Sequence, residues 1–308
     1  MTAAATIARQ VDRPVLGIML MLGFCALAPL GDASAKALGA TIGLAQLLLV
    51  RFAIQTVALL PVVFATGRRL HMTPRVFRLT ALRTLLHILG IGAMFAALRH
   101  LPLADAVAIA FVMPFIMLLL GHVALGEEVG RRRISACAVG FVGTMLVVQP
   151  SFQEVGAPAL LPLAVAVLFA LFMLTTRQMA KDVDAITLQA MSGVMATVGL
   201  GLVVLAVPAD IHPAFALKMP DAREAALLFS VGILGTLAHL LMTWSLRFAP
   251  AATLAPMQYL EIPFATIVGW AAFGDLPNGL AAVGICVTMA AGLYIIWRER
   301  EAARAPTA

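Results

Sequence analysis

The amino-acid sequence predicts an all-α polytopic membrane protein: ten transmembrane helices in two inverted five-helix repeats, with N- and C-termini cytoplasmic. Three observations lead there. Of 308 residues, 62% are hydrophobic and only 12% charged, about half the charged share of an ordinary soluble domain. About ten apolar stretches are long enough, or nearly so, to cross about 30 Å of hydrocarbon at 1.5 Å per residue. One phrase also occurs in each half of the chain, as LRHLPLADAVAIAFVMPFIMLLLGHVALGEE from Leu98 and LRFAPAATLAPMQYLEIPFATIVGWAAFGD from Leu246.

The spans follow in order. A short tail, 1–14, precedes the first span, 15–37. That run is too long for a signal-peptide core and has no clear small-residue cleavage site, so it is kept as a helix. The second span, 43–66, leads into the basic connection Gly67–Arg78. The third, 79–98, and the fourth, 104–124, are joined by a few residues, which forces them antiparallel; Pro114 sits in the middle of the fourth. The fifth, 134–149, is short and follows Arg131, Arg132 and Arg133. The polar stretch Gln149–Pro158 then parts the halves, giving one repeat over 15–149, a connection over 150–157 and a second repeat over 158–297. The sixth and seventh spans, 158–178 and 186–207, precede a loop, Pro208–Arg223, that carries Pro208, Pro213 and Pro220. The eighth span is 225–246, and the ninth, 252–273, holds Pro256 and Pro263. The tenth, 279–297, runs into the basic tail 298–308.

Lysine and arginine set the orientation. With the N-terminus inside, fifteen fall on inside segments: Arg9, Arg13, Arg68, Arg69, Arg75, Arg78, Arg131, Arg132, Arg133, Arg177, Lys181, Arg247, Arg298, Arg300 and Arg304. Three, Arg99, Lys218 and Arg223, fall outside. The fourth span then runs inward and the ninth outward, so the repeated phrase is inverted across the membrane. In it Arg99 answers Arg247, Pro102 answers Pro250, Pro114 answers Pro263 and Glu127 answers Asp275. A proline-broken apolar helix recurring in both halves is the sequence pointer to a transporter binding site. Pro114, Pro256 and Pro263 are the candidate pliable points.

The formal charge of +6 sits in short loops, as membrane orientation requires, and no basic patch interleaved with aromatics points to nucleic acid. Cys25, Cys137 and Cys286 stand alone in apolar runs, without the spacing of a metal or redox pair. No GxxxxGK[ST], HExxH or GxSxG motif occurs. ATP-driven transport by this chain alone, zinc hydrolysis and serine catalysis therefore have no support, and no cofactor or metal is expected.

Ionisable groups at membrane depth cost on the order of 2.5–3.5 kcal/mol and mark functional positions by default. Glu261 lies near the middle of the ninth span between two prolines. It reads either as a carboxylate that binds a cationic group or takes a coupling proton, or as a structural partner of Arg51 or Arg83. Asp32 and Lys36 share one face of the first helix at i, i+4, toward its outer end, and are able to pair, which reads as an outer gate, a substrate contact or snorkelling to the interface. Arg51, deep in the second span, needs a partner: Asp32, Glu261 or an anionic substrate group. Arg83 near the cytoplasmic end of the third span reads as snorkelling. Gln258 shares a helix face with Glu261, whereas Tyr259 points about 100° away. Trp244 in the eighth span completes a set resembling a pocket with an aromatic wall and a few polar anchors, although lipid-facing or core packing is the commoner fate of one aromatic. His122 and His239 read as core histidines. Gly90, Gly92, Gly140, Gly143, Gly232 and Gly235 mark close helix contacts, which serve internal packing or a dimer contact alike.

Ten helices in two repeats, the motif LPLADAVAIAFVMPF…LGE, and a following glycine-bearing helix ending in Gln149–Pro150 resemble the EamA-type transporters of the drug/metabolite transporter superfamily over roughly 15–297. DASAK at Asp32–Lys36 and APMQYLEIPF at Ala255–Phe264 resemble a subgroup with S-adenosylmethionine, riboflavin and amino-acid transporters. The resemblance implies an inner-membrane secondary carrier of a small metabolite, with a central cavity lined by helices 1, 3, 4, 6, 8 and 9. The chain then reads as a carrier coupled to a proton or ion gradient and working by alternating access. The sixth helix departs from electrostatic symmetry: Thr175, Thr176 and Arg177 stand where a second acid would echo Asp32. A flippase for lipid- or polyprenyl-linked substrates would want a groove without buried charge, against Asp32, Arg51 and Glu261. An intramembrane enzyme would want a nucleophile–base constellation that the chain lacks.

Overall fold

The computed structural model describes residues 13–68, 72–113, 116, 117, 120, 122, 123, 126, 130–148, 156–207, 211, 213–274 and 279–304. Among them the chain forms helices and no strand. The helices are α1 (Pro14–Leu38), α2 (Leu44–Ala65), α3 (Pro74–Ala97), α4 (Leu103–Ala110), α5 (Arg131–Val148), α6 (Leu161–Met179), α7 (Ala185–Ala206), α8 (Ala222–Phe248), α9 (Ala251–Gln258), α10 (Glu261–Phe273) and α11 (Gly279–Arg304). Six of these, α1, α2, α3, α6, α7 and α8, are long and apolar enough to cross a membrane. Large apolar side chains such as Val57, Leu85, Leu202, Leu205 and Phe229 face outward from them. In water such a surface would associate; in a bilayer it is the lipid contact.

Local chemistry sets the helix ends. α3 begins five residues before the sequence expectation because Thr73 caps it, accepting from the Val76 amide, and Pro74 occupies the first turn where no N–H is needed. Asp184 caps α7, accepting from the amides of Ile186 and Thr187. α8 starts with a reciprocal capping box between Asp221 and Glu224.

The ninth span is not one helix. α9 ends at Gln258 and α10 begins at Glu261, with Tyr259 and Leu260 between them. Both connecting residues keep right-handed dihedrals, and the bonds tighten to i−3, from Leu260 N to Met257 O (3.1 Å) and from Ile262 N to Tyr259 O (3.3 Å). The cause is Pro263. Its missing N–H would break a continuous helix, but it is tolerated in the first turn of a new one. α4 stops in the same way at Phe111, whose amide bonds Ala108 O at 3.1 Å. Phe111 and Tyr259 hold matching positions in the two copies of the phrase, and their rings meet at 5.6 Å. Pro114 lies outside the described residues, as do Glu127 and Asp275. The Pro256 backbone falls within α9.

The repeats interleave. α1 packs on α8, and α3 on α6, which is one contact seen from either repeat; α2 packs on α7, α4 on α10 and α5 on α11. Glycines make these approaches possible. A Cβ added to Gly17 would come within 2.6 Å of Ala249 Cβ, and one at Gly232 within 2.6 Å of Ile54 Cβ. Without a hydrophobic force between helices in lipid, such backbone closeness supplies the packing.

Candidate functional site

The interleaved helices enclose a central cavity. Asp32 (α1), Arg51 (α2), Phe95 (α3), Phe111 (after α4), Phe169 (α6), His239 (α8) and Glu261 (α10) line it, with Phe24, Ile91, Met94 and Met113 filling its apolar wall. The room left for the centre of a water-sized sphere is about 60 Å³, enough for a few waters. The lining agrees with the helices implied by the resemblance, with one addition: the second helix contributes Arg51.

Glu261 is the first residue of α10 and only 7% exposed. Asp32 approaches from α1. Neither carboxylate makes a hydrogen bond or ion pair among the described residues. Arg51 is 2% exposed and lies near enough to Asp32 for their charges to attract, but it makes no hydrogen bond or close ion pair with either acid: Nη2 lies 3.2 Å from His239 Nδ1, and the guanidinium stands 4.7 Å from the Phe52 ring centroid. Nη1 has no partner among the described residues. Gly235 makes room for this side chain, since a Cβ there would come within 2.9 Å of Arg51 Nε.

Several pairings expected from residue spacing are corrected by this geometry. Lys36 does not pair with Asp32; Nζ donates to the Leu101 carbonyl at 2.8 Å and stands 5.2 Å from the Phe273 ring. The i, i+4 spacing put both on one face, but a backbone acceptor beyond the helix end captured the ammonium. Trp244 lies with Leu16, Leu20, Arg247 and Phe248 in a shallow groove elsewhere, so it is no wall of the cavity. Tyr259 does point away from Glu261, as its offset of about 100° predicts: it packs against Gly140 of α5, where a Cβ would come within 2.6 Å of its ring, and its hydroxyl donates to Cys137 O at 3.1 Å. Gln258 lies one turn from Glu261 but outside the cavity lining, with Nε2 2.9 Å from Met173 Sδ. His122 is exposed, against the expectation of a core histidine, whereas His239 is the buried, hydrogen-bonded histidine expected and in addition lines the cavity.

Arg83 does not snorkel. It is fully buried and ties the first repeat to three helices of the second. Nε donates to Thr176 Oγ1 (2.8 Å), Nη1 to Ser192 Oγ (2.7 Å), and Nη2 to Gln189 Oε1 (2.7 Å) and Thr243 Oγ1 (3.2 Å). The guanidinium also lies 4.5 Å from the Phe172 ring centroid. Between this clamp and the cavity stands His87, its ring tilted 42° against that of His239 with centroids 4.4 Å apart. Sequence reading missed His87, yet a signal existed: Thr80, Arg83, Thr84 and His87 form a polar stripe at three- and four-residue spacing on an apolar helix. Thr236, His239 and Thr243 form its counterpart on α8.

Both repeats are matched by the EamA-like transporter family, at residues 15–149 and 157–298. The riboflavin transporter of Rhizobium johnstonii is 31% identical over 224 residues, covering 73% of this chain and 72% of that protein. The S-adenosylmethionine uptake transporter of Rickettsia bellii is 26% identical over 271 residues, covering 88% of this chain and 90% of that protein. A solved crystal structure superposes with a TM-score of 0.70 at 18% identity over 94% of this chain and 97% of that one, a likeness of fold alone. A multi-pass helical bundle matched across both of its repeats, the chain belongs to the EamA-like transporter family.

Proposed function

We propose that this chain is a secondary transporter that moves a small polar organic metabolite across the cell inner membrane by alternating access, with the central cavity as its binding site. Riboflavin, S-adenosylmethionine and amino acids are the candidate substrates, in keeping with the names of the relatives. The ten-helix topology with both termini cytoplasmic belongs to the same proposal, supported by the bias of lysine and arginine toward one side.

One observation carries the reading. Two carboxylates, Asp32 from the first repeat and Glu261 from the second, line one buried cavity beside Arg51; Arg51 attracts Asp32 at a distance, but neither acid makes a hydrogen bond or close ion pair among the described residues. Acids at membrane depth without a hydrogen bond or close ion pair are too costly to serve packing alone. They take a cationic or hydrogen-donating part of a substrate, or a coupling proton. Aromatic and methionine side chains around them suit a flat organic body. Loss of Lys36, Trp244, Gln258 and Tyr259 from the cavity narrows the binding set to Asp32, Arg51 and Glu261, with His239 added.

The present cavity holds a few waters, so a metabolite enters only as the helices part. The tightened backbone at Phe111 and at Tyr259–Leu260 supplies pliable points on both sides of the site. The bond from Arg13 N to Phe248 O (2.7 Å) ties the start of α1 to the end of α8, and the Arg83 clamp ties α3 to α6, α7 and α8. Purified protein in proteoliposomes tests the reading. With riboflavin or S-adenosylmethionine as solute, Glu261→Gln abolishes gradient-driven uptake while leaving the melting temperature within a few degrees. Uptake equal to wild type refutes the role of Glu261.

A further inference from the structure

The polar surface of the site does not stop at the cavity wall. His239 lines the cavity, and His87 stands behind it, one turn from the lining residue Ile91 on α3. His87 is fully buried in a box of rings: Phe52 at 5.2 Å, Phe172 at 4.6 Å and Phe169 at 6.3 Å. Neither of its nitrogens has a hydrogen-bond partner among the described residues, and the same holds for His239 Nε2 and Arg51 Nη1. His239 Nδ1 lies 3.2 Å from Arg51 Nη2 and 2.9 Å from the Gly235 carbonyl oxygen. A neutral ring nitrogen is either a donor or an acceptor. It therefore satisfies only one of those two neighbours, and Nε2 is left over in either tautomer.

Four buried polar atoms without partners in one contiguous group are not what packing produces, because native interiors pair nearly all such atoms. An inert position inside an aromatic box would hold phenylalanine. A cluster of orphaned donors and acceptors in a row with the cavity is instead a site made for a ligand's polar group.

We propose that Arg51, His239 and His87 form a second, inner subsite that takes the hydrogen-bond-accepting end of the transported molecule. Its ligand is a carboxylate or a carbonyl-rich heterocycle edge. This inference rests on the reading of the cavity as the substrate site and adds polarity to it. Asp32 and Glu261 take the cationic or donor end, the aromatic wall takes the body, and the guanidinium with the two imidazoles takes the acceptor end. The substrate is thus a dipolar molecule that bridges two oppositely equipped poles. A purely cationic amine leaves the inner pole unused, and a purely anionic solute is repelled by the two acids.

The test uses the full chain in detergent or nanodiscs, with S-adenosylmethionine and riboflavin as probes and ligand-induced thermal stabilisation as the readout. His87→Phe fits the ring box and deletes two orphaned nitrogens. The ligand-free protein is therefore expected to melt at the same temperature or higher, while the probe that binds wild type binds on the order of tenfold more weakly. Where that probe is S-adenosylmethionine, its decarboxylated form keeps both cations and lacks the carboxylate. It should bind wild type about tenfold more weakly and His87→Phe with no further loss. Unchanged affinity in His87→Phe overturns the inner subsite and leaves the cavity reading standing, provided Asp32→Asn weakens binding. If neither probe stabilises wild type, the cavity reading and this inference fall together.

Discussion

Replacing Arg83 by alanine removes a side chain that joins α3 to α6, α7 and α8. The cost follows from what each partner retains. Thr176 and Thr243 keep their own bonds to the carbonyls of Phe172 and His239, both at 2.7 Å. Ser192 and Gln189 do not, since the Arg83 guanidinium is the donor to Ser192 Oγ and to Gln189 Oε1, and Gln189 Nε2 already lacks a partner among the described residues. The substitution thus strands two buried polar groups at about 1–3 kcal/mol each, or about 4 kcal/mol together. Relief from burying the cation returns little of this, because four hydrogen bonds and the Phe172 face already compensate it. At about 2 °C per kcal/mol for a chain of this size, the melting temperature falls by on the order of 8 °C. Tryptophan fluorescence of purified protein during heating measures it. Arg83→Lys falls nearly as far, since an ammonium cannot fill a fork built for three nitrogens. Adding Ser192→Ala and Gln189→Leu to Arg83→Leu recovers much of the loss, because the stranded groups leave with the cation. A folded Arg83→Ala that melts with wild type refutes the clamp.

Other outcomes follow from the same contacts. Gly235→Ala pushes a Cβ against the Arg51 guanidinium, so uptake falls at least tenfold while the protein is destabilised by about 1–3 kcal/mol, read by transport and melting together. Gly140→Val strikes the Tyr259 ring and lowers thermal stability, whereas Gly140→Val with Tyr259→Ala regains part of it. Trp244→Phe, in the shallow groove away from the cavity, leaves uptake within twofold of wild type.

Much of this molecule was legible in its residues. Asp32, Arg51 and Glu261 stood out because charge inside an apolar run has a high cost, and all three line the cavity. The neighbours of Glu261 were harder to read. Helical phase put Tyr259 about 100° from Glu261, and it does turn away, toward Gly140; Gln258, expected on the face of Glu261, instead meets Met173 across the interruption between the two helices. Lys36 shows the limit of spacing rules: i, i+4 tells which groups share a face, not which acceptor wins. Arg83 shows another, since its position near a helix end suggested lipid headgroups while its partners come from helices a hundred residues later in the chain. Only the polar stripes on α3 and α8 foreshadowed that meeting, and they become visible when two helices are read against each other.

The contact between Phe111 and Tyr259 has a consequence for how such a bundle moves. These residues hold the same place in each copy of the repeated phrase, so on the proposed inverted-repeat arrangement the point where they touch lies on the axis that relates the two halves. In the proposed alternating-access cycle, atoms near that point travel least and atoms farther out travel more. The Tyr259 hydroxyl, fastened to Cys137 O, pins this still point to one repeat only. The hub is therefore handed, and the two end states built around it need not be equal in energy even though the helices that swing are copies of each other.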